Sequence, residues 1–183
     1  MVSSFPTRQR ADGLRRCARW NPVWRLLPVF SAVAVLAGAA YAFPAVDEPA
    51  PALKGKLLTG QQFDLASLRG KVVLVNYYSS YCGFCAYEIG TTETFYEQWR
   101  DKGFEVLMLS IDDPKERERS ERMLALYSLP GAMTAELEAN EFGKTYPTPT
   151  SFVIDKRGVV RSRMWGVKTP HHYRELVLPL LAE

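Results

Sequence analysis

The chain is 183 residues long, 47% hydrophobic and carries a formal charge of +3, enough to bury one core of ordinary domain size with a segment to spare. Its three cysteines are too few for a disulfide scaffold. The charge is unevenly divided: residues 1–25 hold six Arg and one acid, a balance of +5, which leaves −2 for the remainder and argues against nucleic acid as a partner.

Residues 1–25 read as a basic n-region held on the cytoplasmic side by its arginines, with Cys17 as an incidental member. Residues 26–42 follow as a charge-free apolar run. Two readings fit this run: a signal peptide cleaved after Ala40-Tyr41-Ala42, or an uncleaved anchor in the inner membrane. The long basic stretch before it favours the anchor, and both readings export the rest to a periplasm or its equivalent. Residues 43–52, rich in Pro and Ala and without helical or strand period, read as an extended spacer. The folded domain is expected over residues 53–183.

Leu53–Leu58 and Gln61–Leu65, separated by Thr59-Gly60, have the form of a short hairpin. Lys71–Tyr78 is a continuous β-branched and aromatic run, the pattern of a central strand buried on both faces. A helix is predicted over residues 86–102 from the spacing of Ile89, Phe95, Tyr96 and Trp99, with Gly103 as its stop. Phe104–Asp112 is a second buried strand, so strand, helix and strand form a parallel crossover unit. A charged helix follows over Lys115–Tyr127, then the turn Leu129-Pro130-Gly131 and a short helix around Ala135–Phe142. Thr150–Asp155 and Val159–Trp165, joined by Lys156-Arg157-Gly158, predict an antiparallel hairpin. The last helix begins with Thr169 as N-cap and Pro170 at its first position. The whole is an α/β domain, a central mixed β-sheet flanked by helices.

Cys82-Gly83-Phe84-Cys85 lies where the central strand meets the first helix. A thiol at a helix N-terminus faces unpaired backbone N–H groups and the positive end of the macrodipole, a setting that favours thiolate and hence thiol–disulfide exchange. Cys82 is then the attacking sulfur, and Cys85, nearly one turn further, the resolving one. Two other readings use the same residues: a lone structural disulfide, which closes too short a loop to stabilise much, and a copper or zinc site formed with His171-His172. With no second CxxC and no HxxxH, no metal is expected. Glu88 shares a helix face with Cys85, and its spacing suits either a carboxylate serving the dithiol or a solvated surface group. In Pro147-Thr148-Pro149, just before a buried strand, either proline is a candidate for a cis bond.

Leu68–Asn76, Cys82-Gly83-Phe84-Cys85 with Glu88, and Pro149–Asp155 with Gly158 together resemble the exported thioredoxin-like proteins of the TlpA and ResA type, from about Leu53 to the C-terminus. The resemblance implies a thioredoxin fold and no cofactor beyond a redox-active Cys82–Cys85 disulfide. It implies that Pro149 is a cis-proline facing the dithiol, that Glu88 manages protons at the cysteines, and that protein thiols and disulfides are the substrates. Tyr81, Phe84, Thr148 and Pro149 are the expected substrate contacts. A reductant recharged by a membrane dithiol donor, serving maturation of cytochrome c or of a copper enzyme, is the role implied. A disulfide oxidase or isomerase, or a copper chaperone using the dithiol as ligands, are the alternatives. Tyr81 replaces the usual Trp, Phe84 the usual Pro between the cysteines, and Gly90 a common Pro; the two residues between the cysteines bear on redox poise.

Overall fold

The computed structural model describes residues 44–143 and 147–183. The expectations for residues 1–25, for residues 26–42 and for cleavage at Ala42 fall outside them. Among the described residues, no helix is long and apolar enough to cross a membrane.

The chain runs through β1 (Leu53–Lys56), β2 (Gln62–Asp64), β3 (Val72–Tyr78), α1 (Gly83–Trp99), β4 (Phe104–Ser110), α2 (Arg117–Leu124), β5 (Gly131–Met133), β6 (Ala139–Asn140), β7 (Thr150–Ile154), β8 (Val160–Trp165) and α3 (Pro170–Ala182). Five strands form the main sheet in the order β5-β4-β3-β7-β8. β3, β4 and β5 are parallel, while β7 is antiparallel to both β3 and β8. A second, antiparallel sheet has the order β2-β1-β6.

β3 is buried at all seven positions, as its unbroken apolar run requires of a strand covered on both faces. Alternate side chains divide between two clusters. Val72, Leu74 and Tyr78 point with Phe104, Val106 and Met108 toward α1, α2 and α3, which supply Ile89, Phe95, Leu124, Tyr173 and Val177. Phe95 joins these elements, its ring centroid 5.3 Å from Phe104 and 5.5 Å from Tyr173. On the opposite face, Val73, Val75 and Tyr77 pack with Leu53 of β1, with Leu57 and Leu65 beside the N-terminal strand pair, and with Phe142 and Phe152. Phe152 lies edge-on to both Tyr77 and Phe142, at 6.2 and 5.2 Å.

The end of α1 runs through a 3-10 turn, Arg100–Lys102, to Gly103 at φ 91°, a left-handed position that suits a residue without Cβ. Two stretches differ from their sequence reading. Instead of a helix around Ala135–Phe142, a 3-10 turn at Thr134–Glu136 leads into β6, which pairs with Leu53 and Lys54 of β1. Leu137 and Phe142 reach the core from this extended path, so burial outweighs the segment's helix propensity.

The Pro/Ala-rich stretch also differs, because Asp47–Ala50 is docked along β8. Asp47 N–H donates to Val160 O at 2.7 Å, Val160 N–H to Glu48 O at 2.9 Å, and Ala50 N–H to Gly158 O at 2.9 Å. Arg161 fastens the docked stretch, pairing with Asp47 at 2.6 Å and with buried Asp155 at 2.8 Å. Pro and Ala leave no periodic signal, but an extended backbone suffices to satisfy the open edge of a strand.

Phe152 carries the aromatic contacts that join β7 to Tyr77 of β3 and to Phe142, just after β6. Phe152→Ala is expected to destabilise the domain by about 3–5 kcal/mol, measured as a fall in the urea midpoint at unchanged slope.

Candidate functional site

β3 ends at Tyr78, and residues 79–81 turn the chain into α1. The turn is held by the Asp112 carboxylate, which lies just after β4. Asp112 accepts hydrogen bonds from Ser79 Oγ (2.6 Å), Ser80 N–H (2.8 Å) and Ser120 Oγ of α2 (3.1 Å). Burial alone raises the proton affinity of this carboxyl group, but the serine donors outweigh that and hold it below the usual carboxylate range. Tyr81 is braced against the region around α2: its hydroxyl donates to Glu116 at 2.6 Å, and the Arg119 guanidinium stacks 4.2 Å over its ring.

Cys82 is the N-cap of α1, with extended backbone and its Sγ accepting the Cys85 N–H at 3.2 Å. The side chain thus occupies the place of a capping oxygen, among amide donors the helix leaves unpaired. Cys82 is partly exposed, whereas Cys85, one turn on, is 1% exposed and packed against Tyr78, Ile89 and the β-sheet. Burial, followed by the neighbouring Cys82 sulfur, pushes the Cys85 thiol up to about 12. The two sulfurs therefore have different tasks open to them: one can meet a macromolecule, and the other can meet only its partner.

Facing Cys82 is the segment before β7. The Thr148–Pro149 bond is cis, and Thr148 O lies 3.8 Å from Cys82 Sγ, in reach of a weak S–H donor. The segment is pinned from both sides, by Thr150 Oγ1 donating to Pro147 O at 2.6 Å and Gly166 N–H donating to Pro149 O at 2.9 Å. Around this centre Tyr81, Phe84 and Tyr87 project into solvent, each more than 60% exposed. That is far more apolar surface than single scattered residues present. The structure thus gathers Cys82, Cys85, Thr148 and Pro149 at one point and sets Tyr81 and Phe84 on its margin.

Glu88, nearly one turn after Cys85 on α1, is 1% exposed and shielded from solvent. Its Oε1 receives Asn76 Nδ2 at 2.6 Å, Lys168 Nζ at 2.9 Å and the Tyr173 hydroxyl at 3.3 Å, and its Oε2 receives the Lys168 N–H at 3.3 Å. Asn76, Lys168 and Tyr173 are absent from the sequence-derived site. Asn76 has a legible signal, as the one amide inside the apolar run Val72–Tyr78. Lys168 has none, since its burial depends on the path of the loop between β8 and α3. His172, considered above as a ligand, accepts the Thr169 N–H at 3.0 Å and caps α3, while His171 pairs with Glu175 at 3.1 Å. Among the described residues, no group of three or more His, Cys, Asp or Glu is arranged to hold a metal ion.

The pattern of the AhpC/TSA family matches residues 46–163. The thiol-disulfide oxidoreductase ResA of Bacillus thuringiensis subsp. konkukian (strain 97-27) is 29% identical over 121 residues, spanning 64% of this chain and 68% of the relative. ResA of Geobacillus thermodenitrificans (strain NG80-2) is 27% identical over 134 residues, spanning 72% and 75%. Among solved structures, a thiol:disulfide interchange protein of the thioredoxin family from Chlorobium tepidum TLS superposes with a TM-score of 0.64 at 27% identity, covering 75% of this chain and 98% of the other. The sheet and its flanking helices are a thioredoxin-like fold.

Iodoacetamide is expected to modify Cys82 in the folded, reduced protein and to reach Cys85 only after denaturation, as read by peptide mass; equal labelling of both would contradict the difference in burial. The Asp112 contribution has a defined pH sign. Because its folded proton affinity is depressed, the stability it supplies is complete above the ordinary Asp value of about 3.9 and is lost as pH falls through the lower folded value. Asp112→Asn should flatten that acid limb, measured as urea midpoints across the acidic range.

Proposed function

Since the chain belongs to the AhpC/TSA family and is a thiol–disulfide oxidoreductase of thioredoxin-like fold, we propose that it is an exported reductant of protein disulfides acting through Cys82 and Cys85. The observation that carries this reading is the contrast between a partly exposed Cys82 capping α1 and a Cys85 that is 1% exposed beside it.

The reaction runs in two displacements. Cys82 thiolate attacks one sulfur of a substrate disulfide, expelling the other as thiolate and leaving a mixed disulfide. Cys85 then gives up its proton and attacks Cys82 Sγ, the second substrate thiolate departs, and the substrate holds two thiols where the enzyme holds the Cys82–Cys85 disulfide. Release of Cys85 from its proton is the step that needs assistance, because burial pushes its thiol up to about 12. Glu88, on the same face of α1, is the base assigned to it. A dithiol donor in the membrane restores the enzyme by the reverse exchange.

Tyr81, Phe84 and the Thr148–Pro149 segment are the substrate contacts. The exposed rings offer rigid apolar area to a polypeptide flanking the target disulfide, and the Thr148 carbonyl marks where its backbone passes Cys82. Work outside the cytoplasm, on the disulfides of apocytochrome c or of a copper enzyme, fits the basic leader and apolar run of residues 1–42. That run either anchors the domain in the inner membrane or is removed after Ala42.

Cys85→Ala, which leaves Cys82 without its resolving partner, is expected to trap mixed disulfides with exported proteins, visible as reductant-sensitive adducts. Cys82→Ser should trap none. The midpoint potential of the Cys82–Cys85 couple should lie nearer the value of about −270 mV typical of reductants than the value of about −120 mV typical of oxidants. A value near the second would make the enzyme an oxidase.

A further inference from the structure

An open groove of about 510 Å³ lies between α1 and α3, outside the site described above. Its volume falls within the range of ligand-binding clefts, about 300–1,000 Å³. Phe95 and Trp99 line it from α1, their rings stacked with centroids 6.0 Å apart, and Pro170 and Arg174 line it from α3. Tyr87, 68% exposed, belongs to the same lining. Phe84, Tyr87, Gly90, Thr94 and Gln98 follow one another at steps of three and four residues along α1, so they share one face of the helix. The groove therefore continues, on a single helix face, the exposed aromatic rim of Cys82.

Gly90 is a poor choice for the interior of a helix, and neither its helical backbone nor its packing requires it. A Cβ at this position would meet no atom within 4 Å. What the missing side chain leaves is open groove. The charge along the groove is also of one sign. Arg174 is the charged group of the lining, and it is exposed and makes no hydrogen bond or ion pair among the described residues. Lys102 Nζ stands 4.2 Å over the Trp99 ring. The acids of α1 and α3 are engaged elsewhere or lie outside the lining: Glu88 pairs with Lys168, Glu93 accepts the Ser128 N–H and hydroxyl, Glu175 pairs with His171, and Glu97 does not line the groove. Cations set beside aromatic area suit a chain that carries carboxylates next to apolar side chains.

We propose that the groove between α1 and α3 is a second contact for the protein substrate, holding an extended segment in which apolar side chains neighbour carboxylates. By helix rise, Gly90 lies about 12 Å along the axis from Cys82, and Trp99 about 25 Å. An extended chain covers about 3.3 Å per residue, so the segment lies about four to eight residues from the cysteine that Cys82 attacks. Its apolar side chains meet the rings of Tyr87 and Trp99, and its carboxylates meet Arg174 and Lys102. The contact touches neither reacting sulfur, and it selects among substrates by the chain that flanks their disulfide. It rests on the oxidoreductase reading above and adds to it the chemistry of the preferred partner.

The test uses the reduced full chain and synthetic peptides that share one internal disulfide. One peptide has no tail, one carries Asp-Leu-Phe-Glu and one carries Lys-Leu-Phe-Lys, with the tail set about four residues from the disulfide, on its N-terminal side in one series and its C-terminal side in another. Second-order rate constants for peptide reduction are read by acid quench and mass. On one side of the disulfide the acidic tail is expected to speed reduction by about tenfold over the untailed peptide, and the basic tail to give no gain. Gly90→Leu, which fills the groove, and Arg174→Glu, which reverses its charge, should each cut that gain to less than about twofold, while Gly90→Ala keeps it. All three variants should reduce the untailed peptide at the wild-type rate. Where Gly90→Leu does not fold, Arg174→Glu decides alone. An acidic tail that gives no gain on either side, or a gain that survives in a folded variant of either kind, overturns the proposal while leaving the oxidoreductase reading intact. So does a wild-type dimer that Gly90→Leu converts to monomer on size exclusion, which assigns the groove to a second copy of the chain. Failure of the wild type to reduce any of the peptides overturns both.

Discussion

A carboxylate cannot be enclosed in an apolar interior unless the surrounding chain supplies donors to it, and in this domain that requirement falls on Glu88. Meeting it draws together elements far apart in sequence: Asn76 from the middle of β3, Lys168 from the loop before α3, and Tyr173 from α3 itself. Thr92, one turn further along α1, continues the connection through hydrogen bonds to Glu88 O and the Tyr173 hydroxyl. The same contacts that set α1 and α3 on the sheet thus also fix the surroundings of Cys85. Core packing and active-site geometry are here one arrangement of side chains.

Above that buried group the site is layered. The Asp112 carboxylate shapes the turn from β3 into α1, the turn puts Cys82 at the helix end, and the helix carries Cys85 inward. Opposite, the cis Thr148–Pro149 segment bounds the accessible side of Cys82. The outermost layer, Tyr81, Phe84 and Tyr87, is aromatic and exposed. Tyr81 and Phe84 are the two positions flanking Cys82 where this chain departs from the usual residues of the TlpA and ResA type. Of the pair, Tyr81 is tied down by Glu116 and Arg119, while Phe84 projects freely enough to be 73% exposed.

Much of this is legible in the sequence because it follows from local pattern. An unbroken apolar run gives β3, spacing gives the body of α1, Gly103 ends the segment after it, and CxxC sits where strand meets helix. What local pattern does not carry is the identity of long-range partners. Glu88 reads on spacing alone as readily as a solvated carboxylate, and its burial is decided by Lys168, 80 residues away. Residues 135–142 have the composition of a short helix, yet the hydrogen bonds of β1 and the space beside Phe152 draw them into an extended path. Asp47–Ala50 shows no period at all, since its role depends on the open edge of a strand more than a hundred residues later.

That docked stretch also bears on how the protein behaves at high concentration. A sheet with free edges is a template for another copy of itself. Here one edge strand, β5, is only three residues long. The other, β8, has its first residues occupied by Asp47–Ala50, and Arg161 and Arg163 stand along what remains. The Pro/Ala-rich segment is thereby a built-in blocker of sheet-to-sheet association. Without residues 47–50 the backbone groups of Gly158 and Val160 that they now pair would face solvent, on an edge of the sheet remote in sequence from Cys82 and Cys85.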